Sequence, residues 1–165
     1  MQIYLSLGTN IEPRIQYLKF AIEAVSKLVG VIEYLSSVYN TAPWGVRNQY
    51  DFLNMALCVN TPHELIKVLN IAKQIEKDAG RKDRPPWTAR ELDIDILIAE
   101  DVILYTSTLT VPHPHMHERR FVLVPLCEIA PQLIHPALHK TVTQMLAECP
   151  DNCEVKRVGA IIELN

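Results

Sequence analysis

Residues 92–98 read Leu-Asp-Ile-Asp-Ile-Leu-Ile, and their alternation limits what this chain can become. Leu92, Ile94, Ile96 and Ile98 fall on one side and Asp93, Asp95 and Leu97 on the other, the period of a half-buried β-strand. The aliphatic side has to be covered by other elements. The opposite side carries two carboxylates whose Cα atoms lie roughly 6–7 Å apart. Like charges at that separation repel by about 1–2 kcal/mol at an effective dielectric of about 20 or higher. A cation is therefore expected between them.

The chain before this strand supplies the cover. Residues 2–7 alternate as a strand. Pro13 falls at the first position of a helix whose Ile15, Leu18, Ile22, Val25 and Leu28 make one stripe, and Gly30 stops it. Strands are predicted over 31–39 and 52–60, separated by a loop rich in Pro, Gly and Asn. Thr61 to Glu64 has the form of a capping box before a second helix, which carries Leu65, Val68, Leu69, Ala72, Ile75 and Ala79 and stops at Gly80. A loop with Arg81, Lys82, Arg84 and Arg90 leads into the aspartate strand. The order β-α-β-β-α-β predicts an α+β fold, a ferredoxin-like sandwich with both helices on one face of an antiparallel sheet. Ile94, Ile96 and Ile98 would face the helices, and Asp93 and Asp95 the other way. Beyond it the sequence predicts a hairpin from 102–105 and 109–112, and a short helix that Pro125 kinks or ends. A last helix near 141–149 and a closing strand over 154–158 complete the chain.

At 165 residues and 48% hydrophobic, the chain reads as one domain over 1–165 with a real core. A net charge of −3 argues against general nucleic-acid binding. No apolar run approaches the ~20 residues of a membrane span, and no basic segment precedes an apolar one at the start. A cytoplasmic, monomeric protein is expected. Cys58, Cys127, Cys149 and Cys153 match no strong zinc spacing and read as free thiols.

Asp93 and Asp95 read either as a solvated strand face or as ligands for a hard cation such as magnesium, which takes one or two carboxylates together with phosphate oxygens and water. The four cationic residues just before them favour the second reading, because the planar guanidinium fork suits phosphate. Carboxylates beside arginines are the apparatus of phosphoryl transfer. There is no G-x-x-x-x-G-K-[ST], so this is not a P-loop protein. His113, His115 and His117 alternate in a proline-stiffened loop; they read as loop polar residues, as a phosphate-facing His113, or as a zinc site, and Arg119 and Arg120 favour an anionic ligand over a metal. Trp44, Phe52, Trp87 and Phe121 lie in or beside loops. Phe52 and Asn54 share one strand face, where an aromatic and an amide suit a flat heterocycle.

Two blocks then point further. "WTARELDIDIL" resembles the W-G-P-R-x-L-D-I-D-I-L signature of the 6-hydroxymethyl-7,8-dihydropterin pyrophosphokinase family, and "VPHPHMHERRFVLVPLCEIAP" resembles its second block. "LGTN", "TAPWG", "FLNMAL" and "IEKDAGR" follow the family's order, so the resemblance covers about residues 1–140. It implies transfer of pyrophosphate from ATP to the pterin with release of AMP, and two magnesium ions held by Asp93 and Asp95. It implies pterin contacts at Thr41, Pro43, Trp44, Phe52, Asn54 and Phe121. Nucleotide contacts fall on Glu76, Arg81, Arg84, Trp87, Arg90, Ile96, Thr110, His113 and Arg119. Arg81 and Arg90 join the aspartates in the catalytic set, and the cationic side chains together with His113 are expected to neutralise the triphosphate. Thr9 stands for the family's usual serine, Phe52 for a common tyrosine, "WTAR" for "WGPR", and Arg84 sits one place late in a shortened loop. A metal-dependent phosphohydrolase and a non-catalytic nucleotide-binding module are the alternative readings.

Overall fold

The computed structural model describes residues 1–43, 49–82, 85 and 88–164. In chain order they form β1 (Gln2–Thr9), α1 (Arg14–Leu28), β2 (Val31–Leu35), β3 (Val38–Thr41), β4 (Phe52–Asn60), α2 (Leu65–Asp78) and β5 (Asp93–Ala99). The hairpin β6 (Leu104–Tyr105) and β7 (Thr110–Val111) follows, then α3 (Arg120–Ile129), the hairpin β8 (Ile134–His135) and β9 (Lys140–Thr141), α4 (Val142–Glu148) and β10 (Val155–Gly159). The main sheet is antiparallel in the order β10-β3-β4-β1-β5, with β2 also paired to β4. The fold is thus α+β, with the antiparallel sheet the strand periods predict. No helix among the described residues is long and apolar enough to cross a membrane.

The core lies on both faces of the sheet. On one face Leu5 and Leu7 of β1 and Ile94 and Ile96 of β5 meet Leu18 and Val25 of α1 and Val68 and Ile75 of α2. On the other, Tyr4, Cys58 and Leu97 meet Leu123 and Leu126 of α3 and Met145 of α4. Ile98 departs from its predicted side and joins this second cluster. The cause is an extra residue in β5: Leu5 pairs with Ile96 but the adjacent Tyr4 pairs with Ile98, so the side-chain phase shifts past Leu97. The freed Leu97 carbonyl accepts the His113 N–H at 2.8 Å. The irregularity thus fastens the histidine loop to the strand that bears the aspartates.

Other departures have equally local causes. The strand predicted over 31–39 is two strands, broken at Ser36 and Ser37. Ser36 Oγ accepts the Ala56 N–H, and Glu128 of α3 accepts both the N–H and the hydroxyl of Ser37. Side chains take up the Ala56 and Ser37 donors there, while the Ser36 N–H still bonds the Ala56 carbonyl at 2.9 Å. The predicted capping box at 61–64 does not form: α2 starts at Leu65, and Thr61 instead donates its hydroxyl to the Val29 carbonyl at 2.6 Å and accepts from His63 N–H. A capping box does form at Thr141 and Gln144, opening α4. Pro13 is the N-cap of α1, one place earlier than predicted. Pro125 lies inside α3, which continues to Ile129; burial of Val122, Leu123 and Leu126 around it offsets the bond its ring nitrogen cannot donate. Gly80 ends α2 as predicted, at φ +87°, a conformation that favours glycine.

Candidate active site

One row of residues crosses four strands. Gly8 of β1 is in register with Asn54 on β4 and with Asp93 on β5, and Ser6 is in register with Asp95. Asn54 is buried and donates its amide to Thr41 Oγ1 on β3 at 2.7 Å. A Cβ at Gly8 would stand 2.9 Å from Asn54 Oδ1, so the close approach of β1 to that amide needs glycine. A cavity of about 260 Å³ opens over the row. Thr41, Phe52 and Asn54 line one part of it and Arg90, Asp93 and Asp95 another, while the start of α3 contributes Arg119 and Phe121. The Arg119 guanidinium carbon lies 5.9 Å from the Phe121 ring centroid, in cation–π range.

The cations that the structure sets beside the pair are arginines, and they meet Asp93. Arg81 and Arg90 both donate to Asp93 Oδ1, at 2.8 and 2.7 Å. Asp95 is treated differently. Loss of water around its carboxyl, and then the Asp93 charge, push its pKa well above the usual carboxylate range, with Arg119 pulling the other way. The sequence suggests two equivalent carboxylates; the structure makes them unequal.

His113 faces the same cavity. Burial, and then the Arg119 charge, push its pKa down to about 4. Its Nδ1 accepts the His115 N–H at 3.2 Å, which leaves the proton of the neutral ring on Nε2. The ring is therefore a neutral hydrogen-bond donor at physiological pH in the ligand-free chain, where the sequence suggests a contribution of charge. His113 and Asp95 also line a second depression, beside β5 at the end of the sheet, together with Ile96, Thr110 and Leu69.

Asn10, to which the sequence assigns no role, ties the surrounding loops together. It is buried just past β1. Its backbone N–H donates to the Arg90 carbonyl and its Oδ1 accepts the Arg90 N–H, at 3.1 and 2.7 Å. Its Nδ2 donates to Gln49 Oε1 and the Tyr50 carbonyl, at 3.2 and 3.0 Å. One amide thus holds the segment before the aspartate strand against the segment before β4.

Residues 4–131 match the family described as 7,8-dihydro-6-hydroxymethylpterin-pyrophosphokinase (HPPK). The chain belongs to this family. Among its relatives is the 2-amino-4-hydroxy-6-hydroxymethyldihydropteridine pyrophosphokinase of Aquifex aeolicus, 42% identical over 88% of this chain and 91% of that protein. The Bacillus subtilis protein of the same name is 40% identical over 79% of this chain and 78% of its own length. In fold the chain is similar to the Plasmodium falciparum HPPK-DHPS protein, at a TM-score of 0.68 and 17% identity; 89% of this chain is covered but only 43% of that one.

Of the residues that the HPPK resemblance singles out, Thr41, Phe52, Asn54, Phe121, Arg90, Asp93, Asp95, His113 and Arg119 converge on the main cavity, and Ile96 and Thr110 line the second depression. Glu76 lines neither: it is buried in α2, accepts the Ile94 N–H at 2.8 Å and pairs with Arg81, so it positions that arginine from behind the strand. Pro43 is half-buried beside Ala42, which does line the cavity. Trp44, Arg84 and Trp87 lie outside the described residues. Ser6, Gly8, Gln49 and Thr88 line the cavity without having been singled out. For Ser6 and Gly8 the signal was present: two small residues on one face of an otherwise bulky strand.

Proposed function

We infer that the chain is an ATP-dependent diphosphotransferase: it moves the pyrophosphoryl group of ATP to 6-hydroxymethyl-7,8-dihydropterin, giving AMP and the pterin diphosphate, a step of tetrahydrofolate biosynthesis. The observation that carries the reading is the lining of one cavity. Strand β4 brings an amide and an aromatic ring to it, β5 brings two carboxylates with Arg90 beside them, and the start of α3 adds a second ring and a second arginine. The pterin ring lies between Phe52 and Phe121, its polar edge meeting Asn54 and Thr41. The triphosphate runs past Asp93, Asp95, Arg90, Arg119 and His113, and the nucleoside extends toward Ile96 and Thr110.

The residues present fit magnesium. Asp93 and Asp95 share one strand face and line the cavity together, which suits a cation that takes one or two carboxylates and completes its shell with phosphate oxygens and water. We place two ions there. When bound they neutralise phosphate charge and lower the pKa of a coordinated hydroxyl. The protein's own contribution is positioning and electrostatics. Phe121 and Asn54 orient the pterin so that its hydroxymethyl oxygen meets the β-phosphorus in line as the bond to the AMP oxygen breaks. Arg119 and Arg90 face the charge that develops on the phosphates, with Arg81 held close by Glu76. His113 offers its Nε2–H to the phosphates.

The strand order and the crossovers through α1 and α2 support reading β1–α1–β3–β4–α2–β5 as a ferredoxin-like core, to which β10 adds an edge strand and α3 and α4 a third layer. The two faces of buried side chains share that one sheet, which supports a single domain over 1–165.

Incubation with ATP, magnesium and the pterin is expected to give AMP and pterin diphosphate in equal amounts, and no AMP without the pterin. Phosphate release independent of the pterin would identify a phosphohydrolase instead, and no ATP consumption at all would identify a binding module. Phe121→Ala is expected to weaken pterin binding by roughly 1–3 kcal/mol, the worth of one stacking face, and ATP binding by much less. Calorimetry with each ligand measures the difference; equal losses would return Phe121 to the core.

A further inference from the structure

The stretch after α4 lies beyond residues 4–131, the part of the chain that the family match covers, and it touches both sides of the cavity. Asp151 reaches back to the start of α3: its Oδ2 accepts the Arg120 N–H at 3.0 Å, and its Oδ1 accepts the Cys153 N–H at 2.9 Å. The first bond falls on the peptide between the two α3 side chains of the cavity, Arg119 at the N-cap and Phe121 at the second helical position. No side chain within α3 caps that end. The carboxylate therefore satisfies one of the helix's orphan donors and sits where the helix dipole favours negative charge. Four residues later Val155 of β10 pairs with Thr41, the residue of β3 that receives the Asn54 amide. Residues 151–155 thus join the wall bearing Phe121 to the wall bearing Thr41.

We propose that Asp151 is a positioning residue for the pterin: by holding the Arg120 N–H it sets Arg119 and Phe121 at the spacing from Thr41 and Asn54 that a flat ring requires. The assignment rests on the functional reading above. Asp151 touches no substrate. It acts through α3, and the second half of the clamp, β10 on β3, fixes the opposite wall.

Three variants of the full chain test it, with pterin binding measured by calorimetry and amide exchange followed at Arg120 and Phe121. Asp151→Ala is expected to weaken pterin binding five- to tenfold and to speed exchange at Arg120 at least tenfold. Asp151→Asn keeps an oxygen acceptor for the Arg120 N–H and is expected to bind pterin within twofold of the unaltered protein. Thr141→Ala removes the capping box of α4 at a residue that lines no part of the cavity, and is expected to lower the melting temperature while leaving pterin affinity within twofold. If Asp151→Ala binds pterin as the unaltered protein does, the assignment is overturned. It is also overturned if Thr141→Ala, at the same loss of melting temperature, weakens pterin as much. An unaltered chain that binds no pterin overturns the functional reading instead, and the exchange rate at Arg120 still reports whether Asp151 holds the helix.

Discussion

Asp95→Asn is expected to lower turnover by at least about a hundredfold and yet to raise the melting temperature of the metal-free protein at neutral pH. The loss follows from removing a carboxylate that holds a cation worth several kcal/mol of transition-state charge stabilisation. The gain follows from burial: the folded chain pushes the Asp95 pKa up, with loss of water the main cause and Asp93 next. The folded protein therefore binds a proton more tightly than the unfolded chain does. The stability that Asp95 contributes is fully present below the unfolded value, about 4, and is lost as pH rises through the folded value. Asparagine carries no such penalty. The melting curves of the two proteins in chelator should coincide near pH 4 and separate toward neutrality, by a few degrees if the penalty is about 1–2 kcal/mol. Asp93→Asn should be just as inactive without the gain, because Arg81 and Arg90 already hold that charge and would lose their partner. A fall in melting temperature for Asp95→Asn at neutral pH would mean that the carboxylate serves the fold.

The largest loss of stability is expected from Asn10→Ala. Three hydrogen bonds end on that amide, from Arg90 N–H and to Gln49 and Tyr50, and the residue is buried. Removing them strands the Arg90 donor and the Tyr50 acceptor, and about 2–4 kcal/mol follows from the lost bonds and the orphaned groups together. For a chain of this size that is a drop of roughly 5–15 °C. Turnover should also fall tenfold or more, because Arg90 enters the cavity from the segment that Asn10 fixes and small displacements of a catalytic group are costly. Asn10→Asp keeps the acceptor for Arg90 but loses the donors, and should fall between. Scanning calorimetry decides the first part and AMP production the second. A variant that melts within about 2 °C of the unaltered protein would show that neither segment depends on the bridge.

By itself the sequence determined the period of each long element, and with it the α+β class, the antiparallel sheet and the stops at Gly80 and after α4. Those features are local: alternation, a helical stripe or a glycine is visible within a dozen residues. It also brought Asp93, Asp95, Phe52 and Asn54 onto strand faces, since side chains two apart in a strand point the same way. Only the tertiary structure decided what each group meets. That Asp93 is held by two arginines while Asp95 is left with its charge disfavoured depends on α2 presenting Glu76, and the loop just after it presenting Arg81, to β5, across 12 to 18 residues of chain. The neutral state of His113 depends first on burial, which its neighbours in sequence do not reveal, and then on the charge of Arg119. Ile98 changed sides because Leu97 is an extra residue against β1, a mismatch that appears only once two strands 90 residues apart are paired. Asn10 and Asp151 are single polar residues near turns, indistinguishable in the sequence from ordinary loop positions. Their roles arise because folding removes water from backbone donors at Arg90 and Arg120, and a buried donor must find an acceptor wherever in the chain one lies.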